Sequence, residues 1–177
     1  MSQEEPQIQL IDDFLGRSAP VFDELRDSVE WDTSMAARQT ASFGEPYNFS
    51  QMVYEARPFH PALVPIAEKL QQTLDIEFNN CLLNYYLTGS STMGFHSDRT
   101  DHLQPGTGVA IVSLGSTRGL TFRSKADHGI RHTYLLAPGS LLYMDSEVQE
   151  HWMHAVKKDV EAGPRISLTW RAFQKAD

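Results

Sequence analysis

The chain has 177 residues, 41% of them hydrophobic and 21% charged, with a formal net charge of -8. That length suits one domain with one good core, and the composition is that of a folded chain. No apolar run approaches the roughly 18 residues of a membrane span, a single cysteine (Cys81) excludes an internal disulfide and a thiolate zinc site, and the acidity weighs against holding nucleic acid by general phosphate attraction.

In chain order, residues 1–7 are polar and expected to be loose. The opening MSQEEPQIQL lacks the basic and apolar stretches of a secretory signal, so a soluble protein of the reducing cytoplasm is expected. Residues 18–31 place Val21, Leu25 and Val29 at helical spacing, with Pro20 near the start. Residues 61–74 repeat the pattern with Leu63, Ile66, Ala67, Leu70 and Leu74. From residue 78 the character changes to short runs rich in β-branched and aromatic residues: 78–88, 109–114, 120–125, 131–136, 140–144, 154–157 and 166–173, separated by Gly and Pro turn signals. No repeat or linker divides the chain. The expectation is a single α+β domain over residues 1–177, mainly β: a sandwich or barrel, a jelly roll first among them, with helices packed on one face.

The chemistry concentrates in three places. His96 stands two residues before Asp98, His154 follows at a strand edge, and Arg165 and Arg171 sit on one strand. With period two, Arg165, Ser167, Thr169 and Arg171 share a face, and Ile166, Leu168 and Trp170 share the other. An interior arginine is costly without an anion, so this strand asks for a carboxylate or phosphate. Two imidazoles and one carboxylate leave one side of a six-coordinate metal open, the ligand set of non-haem Fe(II) oxygenases.

The chain resembles the AlkB-like Fe(II)/2-oxoglutarate dioxygenases, most closely their nucleic-acid-dealkylating branch. The resemblance runs from Arg38 to Phe173. It rests on Arg38–Gly44 (RQTASFG), Tyr47–Ser50 (YNFS), Phe78–Tyr86 (FNNCLLNYY), Met93–Asp98 (MGFHSD), Val112–Gly115 (VSLG), Phe122-Arg123, Pro138–Leu142 (PGSLL), His151–His154 (HWMH) and the arginine strand. The resemblance implies a double-stranded β-helix (jelly-roll) core over 78–173 and a substrate lid over 36–58. It implies Fe(II) on His96, Asp98 and His154, and 2-oxoglutarate held by Asn84, Tyr86, Arg165, Ser167 and Arg171. Arg165 would bind the distal carboxylate, and Arg171 would sit near the metal-bound end. Tyr47, Phe49 and Ser50, with Arg99 and Thr100, would form the substrate pocket, where an aromatic stacks on a flipped-out base. The implied reaction consumes O2 and 2-oxoglutarate, gives succinate and CO2, and hydroxylates an N-alkyl carbon, so that an aldehyde leaves the free base.

Two positions depart from the family pattern. Thr100 stands where a base-reading acid is usual, and Ser167 stands where an asparagine is usual. Thr100 and the net charge favour an alternative in which the same chemistry acts on a small molecule or a protein side chain. A non-catalytic module on the same barrel is a third reading. For a nucleic-acid substrate the local positive rim would come from Arg57, Arg99, Arg118, Arg123, Lys125 and Arg131. His102, His128, His132 and His151 are assigned no role. A monomer is expected.

Overall fold

A computed structural model describes residues 4–48 and 52–175. Two antiparallel sheets carry the chain. The larger orders its strands β1-β8-β5-β10-β3-β2, and the smaller β4-β9-β6-β7. The strands are β1 (Ile8–Ile11), β2 (Gln39–Gly44), β3 (Asn80–Tyr86), β4 (Met93–His96), β5 (Val109–Gly115), β6 (Arg118–Ser124), β7 (Arg131–Leu136), β8 (Leu141–Met144), β9 (Trp152–Val156) and β10 (Arg165–Arg171). The helices are α1 (Ser18–Ser28), α2 (Val64–Leu74) and the short α3 (Ser146–His151). This mainly β, two-sheet arrangement is consistent with a jelly-roll core.

Every strand foreseen from alternation is present, with ends shifted by a few residues. Four elements were not foreseen. β1 and β4 are four-residue strands, too short to show a period, and β4 contains Gly94. β2 lies in the segment read as lid, and α3 is a single helical turn and a half whose Asp145 cap accepts a hydrogen bond from the Val148 amide. In α1 the buried stripe is Phe22, Leu25 and Val29, with Val21 only half-buried, so the helix face is turned slightly from the expected one.

Period-two alternation separates two cores. One face of the larger sheet sends Cys81, Leu83, Val112, Leu114, Ile166, Leu168 and Trp170 into one apolar cluster with Phe22 and Leu25 of α1 and Ile66 and Leu70 of α2. Leu82, Tyr86, Val109, Ile111 and Leu142 point the other way, meeting Leu120, Phe122 and Trp152 from the smaller sheet. α1 ends as Leu25 O accepts from the Val29 amide, and α2 ends on Asp75 in the left-handed conformation. Each fully buried large side chain contributes about 1.5–3 kcal/mol relative to exposure.

The segment after β2 returns on itself. Gly44 bridges Arg57 and Tyr47 bridges Tyr54, so the described residues 44–47 and 54–57 run side by side from the edge of the larger sheet. Gly44 has φ +87, and a Cβ there would stand 2.1 Å from Asn79 O, so only glycine lets the chain turn at this root. Tyr54 pins the loop further: its hydroxyl donates to Asp32 Oδ2 at 2.7 Å.

Candidate active site

Sheet register makes His96 and His154 neighbours. β4 and β9 run antiparallel with His96 directly opposite His154, and their ring centroids are 4.4 Å apart. The register shifts between Met93 and His96, and such irregularities re-aim side chains. His96 Nδ1 lies 2.8 Å from Gly94 O. Donating that N–H leaves Nε2 as a bare lone pair for a metal. Asp98 lies just beyond the strand, where two contacts fix the chain. Ser97 Oγ donates to Trp152 O at 2.7 Å, and the Asp98 amide donates to Gln149 Oε1 of α3 at 2.8 Å. One ligand atom from each of His96, Asp98 and His154 can be chosen so that all lie within 4.8 Å of one another.

The protonation states suit a divalent cation. Burial opposes charge on Asp98, but Arg171, whose Nη2 is 3.1 Å from Asp98 Oδ1, and the two histidines hold the carboxyl far below its usual range. Burial pushes His154 down to about 4, so its ring is neutral near neutral pH. Burial also opposes charge on His96, yet the Asp98 hydrogen bond and charge, with the Gly94 carbonyl, raise it overall.

The larger sheet supplies the opposite wall. β10 and β3 pair Arg165 with Tyr86, Ser167 with Asn84 and Thr169 with Leu82, so these side chains face the smaller sheet. A cavity of about 450 Å³ opens there, lined among others by Tyr47, Asn84, His96, Asp98, His154 and Arg171. Arg165, Tyr86 and Ser167 do not line this open part. Arg165 is 1% exposed, and its Nη2 donates to Ser113 Oγ at 2.9 Å.

A family model described as the 2OG-Fe(II) oxygenase superfamily matches residues 7–171. The chain belongs to that superfamily. It is 32% identical to the DNA oxidative demethylase ALKBH2 of Mus musculus over 175 residues, spanning 85% of this chain and 73% of that protein. For ALKBH2 of Homo sapiens the figures are 33%, 85% and 67%. For the alpha-ketoglutarate-dependent dioxygenase alkB homolog 3 of Bos taurus they are 32%, 85% and 60%. The solved structure of OsALKBH1 superposes with a TM-score of 0.69 at 17% identity, covering 94% of this chain and 98% of that one, a likeness of fold.

The oxygenase is therefore an Fe(II)- and 2-oxoglutarate-dependent dioxygenase that uses O2. Its residues fit both groups. Two imidazoles and a carboxylate are the right donors for Fe(II), with no thiolate to favour another metal. For the dicarboxylate, Arg165 Nε and Nη1 and Arg171 Nη1 are buried without hydrogen-bond partners among the described residues, a cationic wall that an anion would complete.

The substrate-side residues fare differently. Tyr47 is buried at the cavity wall, with Arg171 Cζ 5.4 Å from its ring centroid and the Phe173 ring 6.3 Å away. Phe49 and Ser50 lie outside the described residues. Arg99 lines the cavity but pairs with Asp101 at 2.8 Å, and Thr100 does not line it. Of the expected rim, Arg118 is a correction: it is 1% exposed and sits inside the fold. Arg57 donates to Ser42 O and stacks on Phe43, and Lys125 donates to Gln149 O. Arg123 and Arg131 converge on Phe95, joined by Lys157; their charged groups lie 4.1, 5.5 and 5.4 Å from its ring centroid.

Sequence reasoning left several wall residues without a role. Arg38 donates to Asn84 Oδ1 at 2.8 Å, and Met93, Phe95 and Phe173 complete the lining. Thr169 was legible from its place between the arginines on one strand face. Gln149 had no signal, because its role depends on α3 meeting a loop 51 positions away.

Proposed function

We propose that the enzyme removes alkyl groups from nitrogens of DNA or RNA bases. The observation that carries this reading is Phe95, a half-buried aromatic on the cavity wall framed by Arg123, Arg131 and Lys157 in a chain of net charge -8. An aromatic face with cations beside it suits a base and its phosphates, and a local basic cluster next to a wall residue is what a transient nucleic-acid visitor needs. The activity by which the ALKBH2 relatives are named, DNA oxidative demethylase, supports the same substrate class.

On this reading His96, Asp98 and His154 hold Fe(II). Arg165 pairs with the distal carboxylate of 2-oxoglutarate while Arg171, Asn84, Tyr86 and Ser167 orient its other end and walls. Bound Fe(II), with 2-oxoglutarate and O2, supplies the oxidising power for carbon hydroxylation, giving succinate and CO2. The chain's own residues set the geometry. Asp98 stays anionic beside Arg171, burial keeps His154 neutral, and Leu82, Ile111 and Phe173 give the cavity an apolar wall. Once the N-alkyl carbon is hydroxylated, the carbon–nitrogen bond breaks, leaving the free base and an aldehyde. The proposed lid, residues 36–58 over a 78–173 core in one domain, is rooted on β2, and of the expected base-pocket residues Tyr47 and Arg99 stand at the cavity. No described helix is long and apolar enough to cross a membrane. A monomer in the cytoplasm completes the reading.

The acidic net charge and Thr100 favour a second reading, the same chemistry on a small molecule or protein side chain. A substrate panel separates them. Succinate release and methyl loss are measured with methylated single- and double-stranded oligonucleotides against metabolites and peptides. Turnover stimulated by oligonucleotides supports dealkylation; stimulation only by other compounds sinks it.

A further inference from the structure

Arg118 looks like a surface residue in the sequence, and the fold puts it in the interior. It opens β6 and is 1% exposed. Its Nη2 donates to Ser91 O at 2.9 Å and to Lys157 O at 2.6 Å. Its Nε and Nη1 are buried without a hydrogen-bond partner among the described residues. Among the described residues no carboxylate lies within ion-pair distance of it, and Asp159 acts on it only as a more distant charge. Its Cζ stands 5.5 Å from the centroid of the Tyr86 ring.

The same ring is shared with Arg165, whose Cζ is 5.3 Å from that centroid and whose Nε and Nη1 are also unpartnered. Arg118 comes from the smaller sheet and Arg165 from the larger one, so the two guanidiniums reach Tyr86 from across the fold. Two buried cations on one ring repel each other. The ring face and a few neutral oxygens offset only part of that cost. Buried charge of this kind is tolerated when an anion arrives to complete it.

We propose that Arg118 is the second guanidinium of the 2-oxoglutarate site, acting with Arg165 to select the distal carboxylate and so a 2-oxo dicarboxylate over a 2-oxo monocarboxylate. The proposal rests on the reading of Arg165 as the distal-carboxylate anchor. Arg118 is a positioning and specificity residue. Its rival role is a clamp, since its two carbonyl bonds tie Ser91 ahead of β4 to Lys157 behind β9, the strands that carry His96 and His154.

The test is calorimetric binding to the full chain loaded with Mn(II), without oxygen, using 2-oxoglutarate and 2-oxobutyrate. The two acids share the metal-binding end and differ in the distal carboxylate. Arg118→Gln keeps neutral donors for the two carbonyls and removes the charge. It is expected to weaken 2-oxoglutarate by about tenfold or more and leave 2-oxobutyrate within about twofold. Arg118→Lys keeps the charge without the planar fork, so a smaller loss of the same selective kind is expected. Melting curves followed by circular dichroism show which variants fold, and the Lys variant decides alone if the Gln variant does not. Equal weakening of both acids, or no change in either, overturns the proposal and leaves Arg118 a clamp. Arg165→Met separates the underlying reading: if it spares the dicarboxylate preference, the Arg165 anchor fails. If it abolishes the preference while both Arg118 variants keep it, only the proposal fails.

Discussion

The two faces of the larger sheet are made by alternate residues of the same strands, and they obey opposite rules. On the helix-facing side Cys81, Leu83, Val112, Ile166, Leu168 and Trp170 are buried without a charge among them. On the inter-sheet side Asn84, Tyr86, Ser113, Arg165, Ser167 and Arg171 are just as buried, and several guanidinium nitrogens lack partners. The first face contributes stability by removing apolar surface from water. The second carries unpaired positive charge at a cost in stability, which a bound anion relieves. A one-residue slip in β10 would exchange the two sets and lose both.

Substitutions break this comparison in order of size. Removing a proposed metal ligand, His96→Ala at the end of β4 or Asp98→Ala just beyond it, is expected to lower iron-dependent succinate formation by about a thousandfold or more without unfolding the protein. Succinate assays with purified variants check this, and formation that survives either change would falsify the metal assignment. Leu168→Ala on the apolar face should cost about 2–5 kcal/mol in urea unfolding while leaving turnover per folded molecule unchanged. A turnover loss with intact stability would mean that the two faces are not separable.

Arg165→Met on the other face should do the reverse. KM for 2-oxoglutarate is expected to rise by about 10–100-fold, with the urea midpoint of the ligand-free protein unchanged or higher. A midpoint that falls as far as that of Leu168→Ala would place Arg165 among the stabilising residues. Gln149→Leu removes the acceptor that holds the Asp98 amide and should weaken Mn(II) binding by about tenfold, measured by calorimetry.

The smallest effect concerns Cys81 on the apolar face. Complete burial raises its thiol well above 9 in the folded state. Only the unfolded thiol then ionises as pH rises above 9, so the stability it contributes is present below 9 and lost above it. Labelling with iodoacetamide at pH 8 to 9 should therefore proceed only as fast as the chain opens. Prompt labelling of folded protein would show that this face is not closed.

Much of the site was legible because its residue types are rare partners at suggestive spacing. His96, Asp98 and His154, which the fold does bring together, and the Arg165–Arg171 alternation point to metal-binding and anion-binding chemistry, and resemblance to a family supplied the individual roles, those of Asn84 and Tyr86 included. The parts that stayed hidden depend on who meets whom. β1 and β4 are too short to carry a period, and their pairing with β8 and β9 decides that they are strands. Gln149 and Arg38 matter only through contacts with residues 51 and 46 positions away.

The sequence by itself determined the mainly β class and the donor set, since composition, alternation and residue chemistry are local properties of the chain. The one core expected from its length is instead two apolar clusters, one on each face of the larger sheet. The sequence also supplied the net charge of -8, which bears on general nucleic-acid affinity. Only the tertiary structure decided where that charge is locally reversed. Folding gathers Arg123, Arg131 and Lys157 around Phe95, which also lines the cavity, and it withdraws Arg118 from the surface to the ring of Tyr86. The reason is physical: charge acts over distances of several ångströms, and which side chains come that close is fixed by strand register and sheet packing, not by their order in the chain.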